Sequence, residues 1–383
     1  MRYLNITTVA FLLSGFITAK DYVKIQHKTE KLFKKELKKE DVQNAFLHVY
    51  SDSHNIDWFF ADGMFKNGEA VSTANPFYTA SIGKTFTATA IAKLVEEGKL
   101  NFTDKIYNYL PEHITTGLHV MNGTDYSRDI TIAQLLQHTS GLPDYFEGVT
   151  TDGSPNVMEL MFADTAKYWS PEVTIQFIKE KMEPGFIPGN GYSYTDTEYN
   201  LLGMIIEHNS GMPLADYFKK EFFTPLKMYH TYMYHRSEPL QETPYMSEVY
   251  VSGFEAGHMT SLTADWAGGG IVSTSEDLRI FIKALFDGEL VSRQTLERMQ
   301  RWIPETKGMY YGFGLRKIDF RELFPTLPKL TVIGHSGSTG SFMYYCPKLD
   351  TYITGTLNQT DQVRNSVVFM VKVLGLLSGE LKN

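Results

Sequence analysis

The chain of 383 residues contains a single cysteine, Cys346. It therefore cannot form an intrachain disulfide or a cysteine-built zinc site, and it offers no lipid-modified N-terminal cysteine. Positive charge is also scarce, since 36 Lys and Arg stand against 44 Asp and Glu, a formal net charge of −8. That balance argues against binding along a nucleic-acid duplex. The one basic stretch, residues 20–39, is interleaved with acidic residues and predicts a solvated helix face.

The chain has no apolar run long enough to predict a stable membrane span. The uncharged stretch 6–19 is too short for one, and its length is typical of the apolar region of a signal peptide. Residues 1–19 therefore predict an export signal that ends at Ala19, and a periplasmic, cell-surface or secreted protein. The alternative is an N-terminal strand or helix packed on a protein that stays in the cytoplasm.

Apolar residues make up 43% of the chain and charged residues 21%, as in a globular protein. Residues 20–383 predict one domain, with an α/β part from 20–104 and 251–383 and a mostly helical part from 105–250. The alternation of apolar residues predicts a hairpin over 45–50 and 58–65, followed by a helix over 81–97 that Gly98 ends. Further predicted helices lie at 131–137, 171–182, 197–208, 214–223, 277–286 and 363–377. Predicted strands lie at 270–273, 311–318, 330–333, 342–345 and 351–357.

Several common catalytic signatures are absent, namely H-E-x-x-H, C-x-x-C, G-x-G-x-x-G and G-x-S-x-G. Gly83-Lys84-Thr85 matches the end of a phosphate-binding loop, but Tyr78 stands where that loop needs a glycine. What remains is Ser81-Ile82-Gly83-Lys84, the one S-x-x-K of the chain. Residues i and i+3 share a helix face, so Lys84 can reach the Ser81 hydroxyl and activate it. The alternative is a helix-capping serine with a surface lysine.

The words around this motif resemble the penicillin-recognising serine hydrolases, in the group of class C β-lactamases, DD-carboxypeptidases, D-aminopeptidases and β-lactamase-like carboxylesterases. The resemblance runs from about residue 45 to 360. It implies a serine β-lactamase/DD-peptidase-like α/β fold, with an antiparallel sheet flanked by helices and built from both chain ends, plus a mostly helical inserted subdomain. The matching segments are 77–84 (FYTASIGK), 97–100 (EGKL), 130–142 (ITIAQLLQHTSGL), 194–203 (YTDTEYNLLG), 267–278 (AGGGIVSTSEDL), 311–314 (YGFG) and 334–337 (GHSG) leading to Asn358.

The resemblance implies roles for the first two motifs. Ser81 becomes the acylated nucleophile and Lys84 its proton acceptor. Tyr194 moves a proton between Ser81 and the leaving group and then activates water. Tyr192 offers a rival register, but the spacing to the following Leu-Leu-Gly favours Tyr194. His138, in QHTSGL, is interpreted as structural.

The third motif matches His335-Ser336-Gly337. By the resemblance, His335 adds partial or full positive charge near the other catalytic groups, and Ser336 hydrogen-bonds a substrate carboxylate or carbonyl. Gly337 lets substrate lie close to the strand. The backbone N–H groups of Ser81 and Ser338 form the oxyanion hole.

The second motif departs from the family pattern, because Asp196 stands where many relatives carry Asn. An ionised Asp only accepts hydrogen bonds. It is expected to pair with protonated Lys84 and raise the pKa of that lysine, which shifts proton transfer towards Tyr194. It also removes a donor that positions the side chain of β-lactams. Small esters, or substrates that present an amine, become better candidates than β-lactams.

The leading interpretation is a serine hydrolase that cleaves an ester or amide through an acyl-enzyme on Ser81, with carboxylesterase or peptidase-like activity. The alternatives are a DD-carboxypeptidase or other penicillin-binding protein, a class C-type β-lactamase, and a catalytically weak penicillin-binding scaffold. Competent residues at every catalytic position argue against the scaffold. No metal, nucleotide or flavin cofactor is implied. The expected partner is a small or peptide-like ester or amide and not nucleic acid, and the oligomeric state stays open.

Overall fold

A computed structural model of the chain describes residues 19–39 and 42–381. The apolar stretch behind the predicted export signal lies almost wholly outside these residues, so export stays a prediction. Within the described residues, no helix is both long enough and apolar enough to cross a bilayer.

The main sheet joins the two ends of the chain. Its eight antiparallel strands are β1 (Asn44–Ser51), β2 (Ile56–Gly63), β3 (Ile303–Thr306), β4 (Met309–Tyr311), β5 (Arg316–Asp319), β6 (Thr331–Ser336), β7 (Ser341–Cys346) and β8 (Thr351–Thr356). Their order is β3-β4-β5-β6-β7-β8-β1-β2. The N-terminal hairpin pairs with the last strand, and Phe46 of β1 lies opposite Thr356 of β8. The fold class implied by the resemblance is confirmed.

The central strands are apolar on both faces because helices cover both. In β1, Phe46 points to one side and stacks on Phe77 with ring centroids 5.5 Å apart. Its neighbours Leu47 and Val49 point to the other side, into a second apolar cluster with Phe369. Successive strand side chains alternate between faces, so this run contributes to two cores.

Among the described residues, the five longest α-helices are α1 (Ala19–Glu36), α2 (Gly83–Glu96), α3 (Asp196–Ser210), α4 (Ser275–Asp287) and α5 (Val363–Glu380). Helices α1 and α5 pack together on one face of the sheet, and α2, α3 and α4 belong to the core on the other. Gly98 follows the end of α2 with a φ of 70°, a left-handed conformation that glycine adopts without a steric cost. The predicted end of that helix is confirmed.

In the sequence, most of the shorter elements lie between the β1–β2 hairpin and strand β3. The shorter α-helices are Glu112–Thr115, Ile132–Leu136, Val157–Ala163, Pro171–Lys181, Leu214–Phe218, Thr224–Leu226, Trp266–Gly269, Arg293–Met299 and Phe320–Leu323, and Lys219–Phe223 is π-helical. The 3₁₀ turns are Ala80–Ile82, Ile106–Asn108, Ser127–Asp129, Thr260–Ala264, Pro347–Leu349 and Thr360–Gln362. Small sheets pair Phe77–Tyr78 and Tyr232–Met233 with Ile271–Ser273, Val120–Met121 with Thr124–Asp125, and Tyr250–Val251 with Phe254–Glu255.

The segment predicted as one strand over 311–318 is a hairpin instead. Strands β4 and β5 pair antiparallel, with Tyr311 opposite Arg316. The turn between them contains Gly314 at a φ of 62°, a backbone conformation in which a residue with a side chain would be strained. The prediction was wrong because the apolar residues of the turn continued the strand pattern.

Candidate active site

Ser81 lies where a 3₁₀ turn, Ala80–Ile82, leads into α2. The preceding Ala80 has a φ of 48°, an uncommon conformation for a residue with a side chain. Two hydrogen bonds hold this segment in place: Thr79 Oγ1 donates to the Ile271 carbonyl at 2.8 Å, and Ser341 Oγ donates to the Thr79 carbonyl at 2.7 Å. The strained turn is therefore fixed from both sides, and it places Ser81 at the positive end of α2.

Lys84, one turn further along, is fully buried. Its Nζ donates to Ser81 Oγ at 3.1 Å and to the Gly268 carbonyl at 3.3 Å, and it forms an ion pair with Asp196. A Cβ on Gly83 would lie only 2.8 Å from Gly269 Cα. The glycines therefore let the 266–269 helix approach α2 closely enough for its carbonyl to contact the lysine.

Tyr194 and Asp196 stand at the start of α3. The Thr195 side chain accepts the N–H of Thr197 and so caps the helix. This cap fixes Tyr194 just before the helix and Asp196 at its first position. Lys84 Nζ lies 4.9 Å from the centre of the Tyr194 ring. The structure thus brings Ser81, Lys84, Tyr194 and Asp196 together. Of the two tyrosines that the sequence offered, Tyr192 and Tyr194, it is Tyr194 that lies beside the lysine.

The charges around Lys84 favour its protonated form. Burial lowers the pKa of Lys84, but the charge of Asp196, which is in direct contact with the lysine, leads the effects that outweigh burial and raise that pKa above its ordinary value. For Tyr194, burial raises the pKa to about 12 even though Lys84, Arg316 and a hydrogen bond with Ser81 act to lower it. At neutral pH the site therefore contains a lysine cation and a neutral tyrosine. The ion pair between Asp196 and Lys84, which we predicted from the aspartate in the second motif, is present.

Two further carboxylates lie near Asp196. Asp144 Oδ1 accepts the backbone N–H of Asp196 at 2.9 Å, and Asp265 Oδ2 accepts the Tyr78 hydroxyl at 3.1 Å. Burial and then the Asp196 charge raise the pKa of Asp144 to about 6 and that of Asp265 to about 7. Neither aspartate could be recognised from the sequence, because a lone aspartate in a loop carries no signal of burial.

His335 lies near the site, but it is not the predicted cation. Its Nδ1 lies 2.8 Å from the Ser336 carbonyl oxygen, which only accepts, so Nδ1 carries the proton. Its Nε2 lies 3.0 Å from the Tyr311 hydroxyl and accepts from it. Burial, Arg316 and Lys84 hold the pKa of His335 well below its usual value. The expected positive charge at His335 is therefore wrong: a fully buried imidazole beside two cations stays neutral.

Arg316 brings a positive charge to this part of the site. It lies on β5, opposite Gly334 of β6. Its guanidinium forms two hydrogen bonds with the Glu305 carboxylate, at 2.7 and 2.6 Å, and Nη1 donates to Ser336 Oγ at 3.3 Å. The Arg316 Cζ lies 5.6 Å from the centre of the Tyr194 ring. Arg316 could not be recognised from the sequence, because arginine side chains mostly lie on the surface of proteins.

The turn after the third motif lies against the nucleophile segment. A Cβ on Gly337 would stand 2.3 Å from the Thr79 carbonyl oxygen, so this position has no room for a side chain. Gly337 is therefore required because the protein's own chain packs against it, rather than because substrate needs the space. Within the described residues, the backbone N–H groups of Ser81 and Ser338 donate to no protein acceptor. Both are available to an oxyanion.

His138, which belongs to the mostly helical part of the chain, packs on the ring of Tyr194. The two ring centres are 4.3 Å apart. His138 Nδ1 lies 2.5 Å from Glu198 Oε2, and burial holds the pKa of His138 well below its usual value. A neutral, buried ring of this kind supports the orientation of Tyr194, which agrees with a structural interpretation.

Comparison with known proteins decides the family. The Beta-lactamase family model matches residues 29–368 of the chain. The protein belongs to the beta-lactamase family. The chain is 30% identical over 258 residues to penicillin-binding protein 4* of Bacillus subtilis, which covers 64% of this chain and 52% of that protein. It spans about half the length of such curated relatives.

Solved structures agree with this membership of the beta-lactamase family. A D-amino acid amidase from Ochrobactrum anthropi SV3 has a TM-score of 0.76 at 21% identity and covers 94% of this chain and 99% of its own. A D-stereospecific amidohydrolase from a Streptomyces species has a TM-score of 0.68 at 25% identity, with 88% and 94% covered. The alignments extend over nearly the whole chain, so the fold is that of these hydrolases. The family recognised from sequence motifs is confirmed.

Proposed function

We propose that this member of the beta-lactamase family is a serine hydrolase that cleaves an ester or amide through an acyl-enzyme on Ser81. The observation that carries the proposal is the convergence on Lys84, whose Nζ donates to Ser81 Oγ at 3.1 Å and lies 4.9 Å from the Tyr194 ring centre. A serine hydroxyl becomes a nucleophile only when a neighbouring group takes its proton. The site offers one such group, the phenolate form of Tyr194, beside the Lys84 cation.

The acylation step follows from the charges of the site. Ser81 Oγ forms a bond to the acyl carbon as its proton passes to the phenolate form of Tyr194, because Asp196 keeps Lys84 protonated and so unable to accept that proton. The Lys84 cation stabilises this phenolate, which is present in the small fraction of sites where Tyr194 has lost its proton to solvent. The bond from the acyl carbon to the leaving oxygen or nitrogen breaks as Tyr194 returns the proton to it. The N–H groups of Ser81 and Ser338 stabilise the oxyanion.

Deacylation uses the same groups in reverse. Tyr194 takes a proton from water, the resulting hydroxide attacks the acyl carbon, and the ester bond to Ser81 breaks as its oxygen regains a proton. Products are the free acid and the unchanged enzyme. No cofactor enters either half-reaction.

The substrate class is proposed to be an ester or amide of a small or peptide-like acid. Asp196 replaces a donor amide by an acceptor in contact with Lys84, which disfavours recognition of a β-lactam side-chain carbonyl. The similar structures whose names give amidase and amidohydrolase activity support an amide or ester substrate. The alternative is a penicillin-binding protein or DD-carboxypeptidase, which the likeness to penicillin-binding protein 4* supports.

Intact-protein mass spectrometry after treatment with a fluorophosphonate tests the nucleophile. We expect one covalent adduct on the wild type and none on Ser81→Ala. A matched control is Ser338→Ala, which keeps Ser81 and changes an exposed hydroxyl whose backbone N–H is retained. Equal labelling of Ser81→Ala and wild type would exclude Ser81 as the nucleophile.

A substrate panel then separates the two classes. We expect turnover of p-nitrophenyl esters or D-amino acid amides to exceed that of nitrocefin and of D-Ala-D-Ala peptides. Faster cleavage of D-Ala-D-Ala peptides would favour the DD-carboxypeptidase instead. No turnover of any compound by a protein that still reacts with the fluorophosphonate would indicate a penicillin-binding scaffold.

A further inference from the structure

We propose that Arg316 is a positioning residue of this hydrolase, which supplies a fixed positive charge to Tyr194 and orients the Ser336 hydroxyl. The proposal rests on the proposed function of Tyr194 as the group that accepts and returns the proton. It assigns to β5 a charge that the third motif on β6 does not provide. The motif residue His335 is neutral, since it is fully buried and both Arg316 and Lys84 disfavour a further positive charge on it.

The position of Arg316 is fixed by the sheet. Its backbone pairs with Gly334, one residue before the motif histidine. A glycine there leaves the neighbouring strand without a side chain beside the arginine. The guanidinium is then held by two parallel hydrogen bonds to Glu305, an arrangement that specifies orientation as well as charge. The side chain is 13% exposed, so solvent screens its charge only weakly.

From this position the guanidinium contacts both functional partners. Nη1 donates to Ser336 Oγ at 3.3 Å, which leaves the hydroxyl proton of Ser336 free to donate to a substrate. Cζ lies 5.6 Å from the centres of both the Tyr194 and Tyr311 rings. A cation at that distance favours a phenolate over a phenol. Arg316 therefore acts on Tyr194 on the side of the sheet, while Lys84 acts on it from α2.

The other groups around Tyr194 do not replace this charge. Lys84 is the other cation, but its partner Asp196 also acts on Tyr194 and raises the pKa of that tyrosine, which offsets part of the effect of Lys84. The remaining rings that face Tyr194 are neutral side chains. The groups that surround Tyr194 are Lys84, Asp196, Arg316, His138, His335, Tyr311 and the Ser81 hydroxyl.

An arginine suits this task better than a lysine or histidine would. It stays protonated throughout the pH range of enzyme action. Its charge therefore never competes for the proton that passes between Ser81 and Tyr194. The positive effect of Arg316 on the ionisation of Tyr194 is accordingly constant, and its loss is visible as a displaced pH profile.

The test is the pH dependence of kcat/KM for a p-nitrophenyl ester in four variants: Arg316→Met, Arg316→Lys, Glu305→Gln and the double variant Arg316→Met/Glu305→Gln. We expect Arg316→Met to lower kcat/KM about tenfold for each unit by which the pKa of Tyr194 rises. The loss should be constant well below the Tyr194 pKa of about 12 and should shrink as the pH approaches that value, so the profile is measured into this range. A purely structural role would lower activity equally at every pH.

The other variants test the direction in which the pH profile is displaced. Arg316→Lys keeps the charge and is expected to keep the wild-type pH profile. Glu305→Gln removes the counter-charge and is expected to displace the profile towards lower pH. The double variant leaves no unpaired buried charge, so it remains informative if Arg316→Met alone fails to fold. It is expected to displace the profile towards higher pH by less than Arg316→Met, because it also removes the Glu305 charge. A wild-type profile in both Met variants would overturn the proposal.

A separate variant distinguishes failure of this proposal from failure of the proposed function. Tyr194→Phe is expected to abolish the rise of kcat/KM with increasing pH. If Tyr194→Phe keeps the wild-type pH profile, the proton role of Tyr194 is wrong. If Tyr194→Phe changes the profile and both Met variants do not, the role of Tyr194 stands and that of Arg316 is rejected.

Discussion

The two cations that face Tyr194 lie in opposite kinds of surroundings. Lys84, on α2, pairs directly with Asp196, and the charge of Asp265 acts on it as well. Arg316, on β5, pairs with Glu305 alone, through two hydrogen bonds. The lysine cluster therefore contains more carboxylates than cations, whereas the arginine pair is balanced.

This difference separates two tasks. The excess of carboxylates favours bound protons within the lysine cluster. There the pKa values of Asp144 and Asp265 are raised to about 6 and about 7. The arginine pair holds no exchangeable proton near neutral pH. One side of Tyr194 thus carries protons and the other sets a constant field. Substitutions that exchange or remove these features test the division.

The largest effect is expected from exchanging the two kinds of cation. Lys84→Arg keeps the charge but removes an amine that can give up a proton and that fits the buried contacts to Ser81 and Gly268. We expect kcat/KM to fall by about 10³- to 10⁴-fold, as for other essential catalytic groups. Steady-state kinetics on an ester substrate measures this. The matched control is Arg316→Lys, which should lose little; a Lys84→Arg variant with a tenth of wild-type activity would contradict the division.

Removing the shared partner of both cations comes next. Tyr194→Phe keeps the ring that His138 and Lys84 contact and removes only the hydroxyl. We expect kcat to fall by about 10²- to 10⁴-fold, the usual contribution of general acid–base catalysis, with little change in the melting temperature. Single-turnover kinetics should show loss of both acylation and deacylation. Tyr192→Phe is the control, and equal losses in the two variants would argue against Tyr194 as the proton carrier.

A smaller effect is expected from removing the carboxylate next to Lys84. Asp196→Asn takes away a charge that raises the pKa of Lys84, so that pKa falls and more of the lysine is neutral at a given pH. It also adds a donor amide to the site. We expect penicillin acylation to become about tenfold faster, as for a pKa lowered by about one unit, measured as the second-order rate constant of adduct formation.

The same variant can contradict the interpretation of the second motif. If Asp196→Asn lowers both ester and amide turnover without faster penicillin acylation, the absent donor does not explain the expected preference against β-lactams. Ser140→Ala, which removes a hydroxyl bonded to Glu198 instead, serves as a comparison for general disturbance of the buried polar groups.

The motif-bearing elements could be predicted from the sequence because they depend on local pattern. Ser81 and Lys84 are three residues apart on a helix whose apolar spacing is regular, so their contact needs no knowledge of the rest of the chain. The β1–β2 hairpin is a similar case, with alternating residues around a polar turn. The pairing of β1 with β8 follows only from the family resemblance, since nothing local specifies it.

The electrostatics of the site could not be predicted in the same way. The charge expected at His335 is absent because that ring is wholly buried, and burial depends on chain segments far away in sequence. Arg316 and Glu305 lie on separate strands, and their pairing depends on how β3, β4 and β5 align. Asp265 becomes part of the lysine cluster only when the 266–269 helix packs on α2. Long-range packing decided each of these outcomes.

The smallest expected effect concerns stability rather than rate, and it tests the excess of carboxylates around Lys84. Burial and the Asp196 charge raise the pKa of Asp265 in the folded protein to about 7, well above the usual value of 3.8. Between about pH 4 and 7 the folded state therefore binds more protons than the unfolded state, so wild-type stability falls as the pH rises. Asp265→Asn carries no such penalty. We expect its free energy of unfolding to exceed that of wild type by on the order of a few kcal/mol at pH 8, with the gain absent at pH 4. Urea unfolding at both pH values measures it, and Asp216→Asn, at an exposed helix position, is the control. A gain of the same size at pH 4 would show that the carboxylate charge is not its cause.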